Sequence, residues 1–166
     1  MRLVHFSVQG NHLHLIVEAK SREVLSKAMQ GLTIRIAKRL NRLWERAGRV
    51  FADRYHDHVL KTPTEVRNAL SYVLNNARKH GRKLKSLLDP FASGHWFDGW
   101  KEGAPAQKDP PPVAKARTWL LTKGWRRTRR PISAREIPKR YGPRDPARHP
   151  RLRPQALAPK SEGTHP

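Results

Sequence analysis

The chain has 166 residues, with 35 Lys+Arg against 13 Asp+Glu, a formal charge of +22, and no cysteine. A surface this positive is drawn to polyanions, nucleic acid above all. The lack of cysteine excludes a disulfide scaffold, a thiolate zinc site and a cysteine nucleophile, and no apolar run reaches the ~18 residues of a membrane-spanning helix.

Leu3 to Val8 is a β-rich run, Gln9-Gly10-Asn11 a turn signal, and His12 to Glu18 a second run. Together they predict a β-hairpin. The period of two places His12, His14, Ile16 and Glu18 on one face of the second strand and Leu13, Leu15 and Val17 on the other. Ser21 to about Ala47 reads as a long helix: Leu25, Ala28, Met29, Leu32, Ile36, Leu40, Leu43 and Ala47 recur at helical spacing, and Gly48 ends it. Arg35, Lys38, Arg39, Arg42 and Arg46 form a basic stripe beside that apolar face. His56 to Lys61 reads as a third, weakly apolar strand. Thr62-Pro63-Thr64-Glu65 combines an N-cap threonine, a proline at the first helical position and a capping-box glutamate. The helix they open runs to about His80, before Gly81, with Val66, Ala69, Leu70, Val73, Leu74 and Ala77 on its apolar face and Tyr72 well off it, among Asn68, Asn75, Asn76 and Lys79.

Beyond that helix the composition changes. Residues 104–166 carry 16 basic and 4 acidic residues and 12 of the 14 prolines. Proline breaks both helix and ladder, and so basic a segment builds little core. The expected organisation is therefore a folded part at 1–88, a Trp-rich basic extension at 89–125, and a disordered Pro/Arg-rich tail at 126–166. No secretory leader is visible, so a soluble cytoplasmic protein is expected.

Three groups of residues carry candidate chemistry. His12 and His14 lie on one side of a strand, about 6.5–7 Å apart along the backbone, and can converge on one divalent cation; the bland reading is a pair of half-exposed strand histidines. Tyr72 is either an amphipathic tyrosine at the core edge or a phenolic nucleophile. A tyrosine with its ordinary pKa of about 10 is neutral at pH 7, so it needs a polarised electrophile or a base. Asn76, one helical turn on, can supply an amide oxygen as a metal ligand. Tyr55 is a rival nucleophile, beside a second His-x-His pair at His56 and His58. Finally, Trp96, Trp100, Trp119 and Trp125, with Arg126 and Arg127, suit stacking on unpaired bases while cations hold phosphates, or else anchor the extension to the core.

In this order and spacing, the stretches Leu3–Val17, Gly48–Tyr55 and Tyr72–Arg78 resemble the single-tyrosine HUH transposases of bacterial insertion sequences, in particular the REP-associated tyrosine transposase branch. The resemblance covers residues 1–88 and weakly continues through the Trp-rich segment. It implies an α+β, ferredoxin-like HUH fold, with an antiparallel sheet, helices packed on one face and an irregular basic C-terminal extension. The family's sheet begins one strand and one helix earlier, so the fold is expected to be truncated at its N-terminus. The resemblance further implies that Tyr72 attacks a DNA phosphodiester to give a 5′-phosphotyrosine and a free 3′-OH. It implies that His12, His14 and Asn76 hold a divalent metal, Mg²⁺ or Mn²⁺. Single-stranded DNA carrying a hairpin would be the substrate, tracked by Arg35, Lys38, Arg39, Arg42, Arg46, Lys79, Arg126 and Arg127. A homodimer is an arrangement found in the family; no membrane and no nucleotide cofactor are implied. The alternative is a transposase remnant that binds nucleic acid without chemistry, and a further one is a structural basic protein.

Overall fold

The computed structural model describes residues 1–106 and 109–139. The hairpin forms as expected: β1 (Arg2–Val8) pairs antiparallel with β2 (Leu13–Glu18), with a bulge at Val4. Its register sets Ser7 opposite His14, Phe6 opposite Leu15 and His5 opposite Ile16. The result is an α+β arrangement around a two-stranded sheet. Among the described residues the stretch 56–61 contains no strand; its polar His56-Asp57-His58 offers no apolar face to bury.

Helix α1 (Arg22–Leu43) starts on Ser21, whose hydroxyl accepts from the Val24 amide. It ends at Trp44, four residues before the expected stop, because Glu45 turns into the left-handed region (φ 49°) ahead of Gly48 (φ 98°). Met29 is its one buried residue. Helix α2 (Pro63–Leu74) opens on the full capping box: the Thr62 hydroxyl accepts from the Glu65 amide, and the Glu65 carboxylate accepts from the Thr62 amide. Rather than running unbroken to His80, the helix is interrupted at Asn75 and resumes as a short turn, α3 (Asn76–Lys79), before Gly81 (φ 69°).

The core differs most from expectation. It does not stop at residue 88. Ile16, Val66, Leu70, Tyr72, Val73 and Leu74 pack with Leu88, Phe97, Trp100, Trp125, Ile132 and Ala134 in one cluster. Trp125 is buried in the 3₁₀ turn Gly124–Thr128, which follows α4 (Trp119–Thr122) and lies against α2. A strap at 130–136 then covers the far side of α2. Arg67, 6% exposed, forks onto Glu136 (2.7 and 2.6 Å) and donates to the Arg130 and Pro131 carbonyls. Ser71 donates to Glu136, Asn75 to the Ser133 carbonyl and Arg78 to the Ala134 carbonyl. Thus residues 126–139 are folded chain, and the apolar residues that seat them, Ile132 and Ala134, are too few to give a periodic signal. Residues 140–166 of the expected tail lie outside the described residues. Among the described residues no helix is long and apolar enough to cross a membrane.

The free side of β1 is also covered. Val8 donates to the Phe91 carbonyl, Ser7 bridges Ala92, and the Ala114 amide donates to the Leu3 carbonyl. His5 is buried here, its Nδ1 3.2 Å from Ser93 Oγ and its ring edge-on to Phe97. Burial lowers its pKa from 6.5 to about 4, against a small opposing pull from Asp98. The unfolded chain therefore takes up a proton between pH 6.5 and 4 that the folded chain refuses, and stability falls as pH drops through that window. Between pH 6.5 and 5, above the carboxylate range, the expected loss is about 2 kcal/mol. Urea unfolding at both pH values should show this loss in the natural chain and not in His5→Asn; equal losses would refute it.

Candidate functional site

The site forms where β2 crosses the end of α2. His14 on β2 and His12 just before it bring their imidazoles to 4.7 Å between centroids, edge to face. The His12 Nδ1 lies 2.7 Å from Asn11 Oδ1. A carbonyl oxygen accepts only, so Nδ1 carries the proton and Nε2 presents its lone pair, the tautomer a metal-binding imidazole needs.

From the helix side, Tyr72 sets its ring 5.1 Å from that of His14, at 86°. His80, two turns on, reaches 5.5 Å from His12. The strand and the helical segment thus run past each other in opposite directions, and Asn76 stands midway in sequence between Tyr72 and His80. Asn76 is fully buried, and neither its side-chain oxygen nor its nitrogen has a hydrogen-bond partner among the described residues. A buried amide left so is rare. An amide oxygen is a donor that a divalent cation accepts alongside imidazole nitrogens. Among the described residues no three His, Asp or Glu side chains gather into a metal-binding group, so any such set depends on the amide.

Tyr72 is only 6% exposed, which departs from the expected polar helix face. The strap and the Trp125 turn cover the sides of α2 that its periodicity left for solvent, so Val66, Arg67 and Ala69 to Leu74 are all buried. The Lys79 ammonium lies 4.5 Å from the centre of the Tyr72 ring. Lys79 was expected to touch DNA; here it touches the candidate nucleophile. Neither this contact nor the place of His80 was read from the sequence, although spacings of seven and eight residues from Tyr72 put both within two helical turns of it.

The remaining expected residues lie elsewhere. Arg35, Lys38, Arg39 and Arg42 are exposed on α1, and Arg46 stacks over Trp44, 5.0 Å from the ring centre. Arg126 pairs with Asp98 at 2.9 Å and lies over Trp125, while Arg127 lies over Trp119. Of the tryptophans, Trp100 and Trp125 anchor the chain in the core and Trp119 stays half exposed. The rival pair His56 and His58 is exposed, with His58 3.9 Å from Glu65, and Tyr55 lies on the segment facing α1, away from the hairpin. Compared with protein-family models, curated proteins and solved structures, the chain has no match.

Proposed function

We propose that this chain is a DNA strand-transfer protein of the single-tyrosine HUH transposase kind. The observation that carries the reading is the approach of His12 and His14 to Tyr72, 58 residues on from His14 in sequence, with the Asn76 amide four residues further on buried and unsatisfied. A non-catalytic basic protein makes no demand on such an arrangement. The finer fold belongs to the same proposal: β2 pairs only with β1 among the described residues, which leaves one edge for the further strand of a ferredoxin-like HUH sheet, from this chain or a second copy.

Tyr72 Oη would attack the phosphorus of a single-stranded, hairpin-bearing DNA. The bond to the 3′ oxygen breaks, a phosphotyrosine forms on the 5′ side, and the proton lost by the phenol is matched by the one the 3′ oxygen gains. The retained phosphodiester bond lets a second strand be joined without ATP. Lys79 brings positive charge to the ring on which negative charge builds as the phenol loses its proton. His12, His14 and Asn76 would hold Mg²⁺ or Mn²⁺, which supplies Lewis-acid polarisation of the scissile phosphate. Exposed Arg35, Lys38, Arg39 and Arg42 would hold the DNA backbone, giving affinity that falls steeply with salt.

The test is incubation of the full chain with an end-labelled single strand carrying a hairpin. Cleavage to a free 3′-OH with Mg²⁺ or Mn²⁺, abolished by chelator, is the expected result. Salt-sensitive binding without cleavage under either metal would overturn it in favour of a second reading, a remnant that binds nucleic acid only. The burial of Tyr72 favours that second reading, because an attacking phenol must meet its phosphate.

A further inference from the structure

Away from the hairpin, a cleft of about 650 Å³ opens between α1 and the segment 48–57. That volume suits a small aromatic ligand. Phe51 and Tyr55 supply half-buried rings on one wall, and Met29, Ile34 and Ala37 an apolar stretch of the other. Asp53 also lines the cleft, and among the described residues no hydrogen bond or ion pair engages its carboxylate. The second carboxylate there, Asp57, faces Arg22 at 3.9 Å. Cations surround the opening: Arg54 lines it, and exposed Arg35 and Lys38 adjoin Ile34 and Ala37 along α1.

Rings to stack on, a carboxylate to accept hydrogen bonds and flanking cations for phosphates fit one chemistry. We propose that this cleft takes a single unpaired guanine from a nucleic-acid strand. Stacking alone tolerates any base. The carboxylate chooses among them: an ionised Asp only accepts, through two oxygens side by side, and the Watson–Crick edge of guanine alone offers two adjacent donors, N1–H and the N2 amino group. Cytosine and adenine offer one amino group beside an acceptor that the carboxylate repels, and thymine one imino proton between two acceptors. The inference rests on the nucleic-acid binding in the proposed function and is independent of its chemistry at Tyr72. A protein that never nicks DNA can still read a base here.

The experiment uses the full-length chain and four fluorescent single-stranded 9-mers, all thymidine except for a central dG, dC, dA or dT, at one fixed salt concentration. The dG strand should bind roughly tenfold tighter than the all-thymidine strand. Asp53→Asn, at an exposed position, should reduce that preference to within about twofold. Tyr55→Leu should weaken all four strands together, by roughly tenfold. Equal binding of the four strands by the natural chain, a dG preference that survives in Asp53→Asn, or no binding of any strand would each overturn the proposal. Binding with the dG preference but without nicking would uphold it and overturn only the strand-transfer reading.

Discussion

Tyr72→Phe is expected to abolish the covalent protein–DNA adduct, by at least roughly 10³-fold, while the protein stays folded. The substitution removes one oxygen and keeps the ring. The edge contact to His14, the Lys79 cation over the ring face and the packing against the core are all contacts of the ring, so they survive. The stability change should stay within about 1 kcal/mol, the usual net worth of one hydroxyl. Affinity for DNA should be unchanged, since the exposed basic residues of α1 are untouched. Denatured gels of the reaction, with thermal melts of both proteins, check this. An adduct of undiminished yield in Tyr72→Phe would move the nucleophile elsewhere, with Tyr55 the first candidate.

Glu136→Ala should cost about 3 kcal/mol of stability, a large share of the 5–15 kcal/mol that holds a domain together. Arg67 is almost fully buried, and Glu136 is its one charged partner among the described residues. Burial by itself pushes the Glu136 carboxyl up, but the hydrogen bonds from Arg67 and Ser71 and the Arg67 charge outweigh it and hold it below its ordinary value. Removing the carboxylate leaves a guanidinium inside the protein with two backbone carbonyls for company. It also loosens the strap whose Ser133 carbonyl accepts from Asn75, at the helix break just before Asn76. Nicking activity should therefore fall along with stability. Urea unfolding of Glu136→Ala checks the first part, and a loss under 1 kcal/mol would contradict it.

The local signals in the sequence were strong where a few adjacent residues settle the geometry. The hairpin follows from alternation and a Gly-containing turn, and the start of α2 from four residues, Thr62 to Glu65. His12, His14, Tyr72 and Asn76 were visible as candidates because fixed spacing on a strand or a helix puts them on shared faces. What was not legible depends on contacts between distant segments. The break at Asn75 is held from Ser133, 58 residues away. The burial of Tyr72 comes from covering chain at 124–136, where proline and charge hide the few apolar residues that matter, Trp125, Ile132 and Ala134. Composition judged this stretch by its many arginines, yet Arg126 and Arg127 lie over tryptophan rings, and the strap is fixed by an arginine and a glutamate on opposite sides of the contact.

The central claim is that Tyr72 does covalent chemistry beside His12, His14 and Asn76. Its most direct test is to incubate the natural chain with hairpin-bearing single-stranded DNA and Mn²⁺, digest the product with protease and nuclease, and map the modified peptide by mass spectrometry. The account predicts a nucleotide joined through phosphate to Tyr72, absent when the metal is chelated or when Asn76 is replaced by Ala. A nucleotide on Tyr55, or no modified peptide with either Mn²⁺ or Mg²⁺, would contradict it.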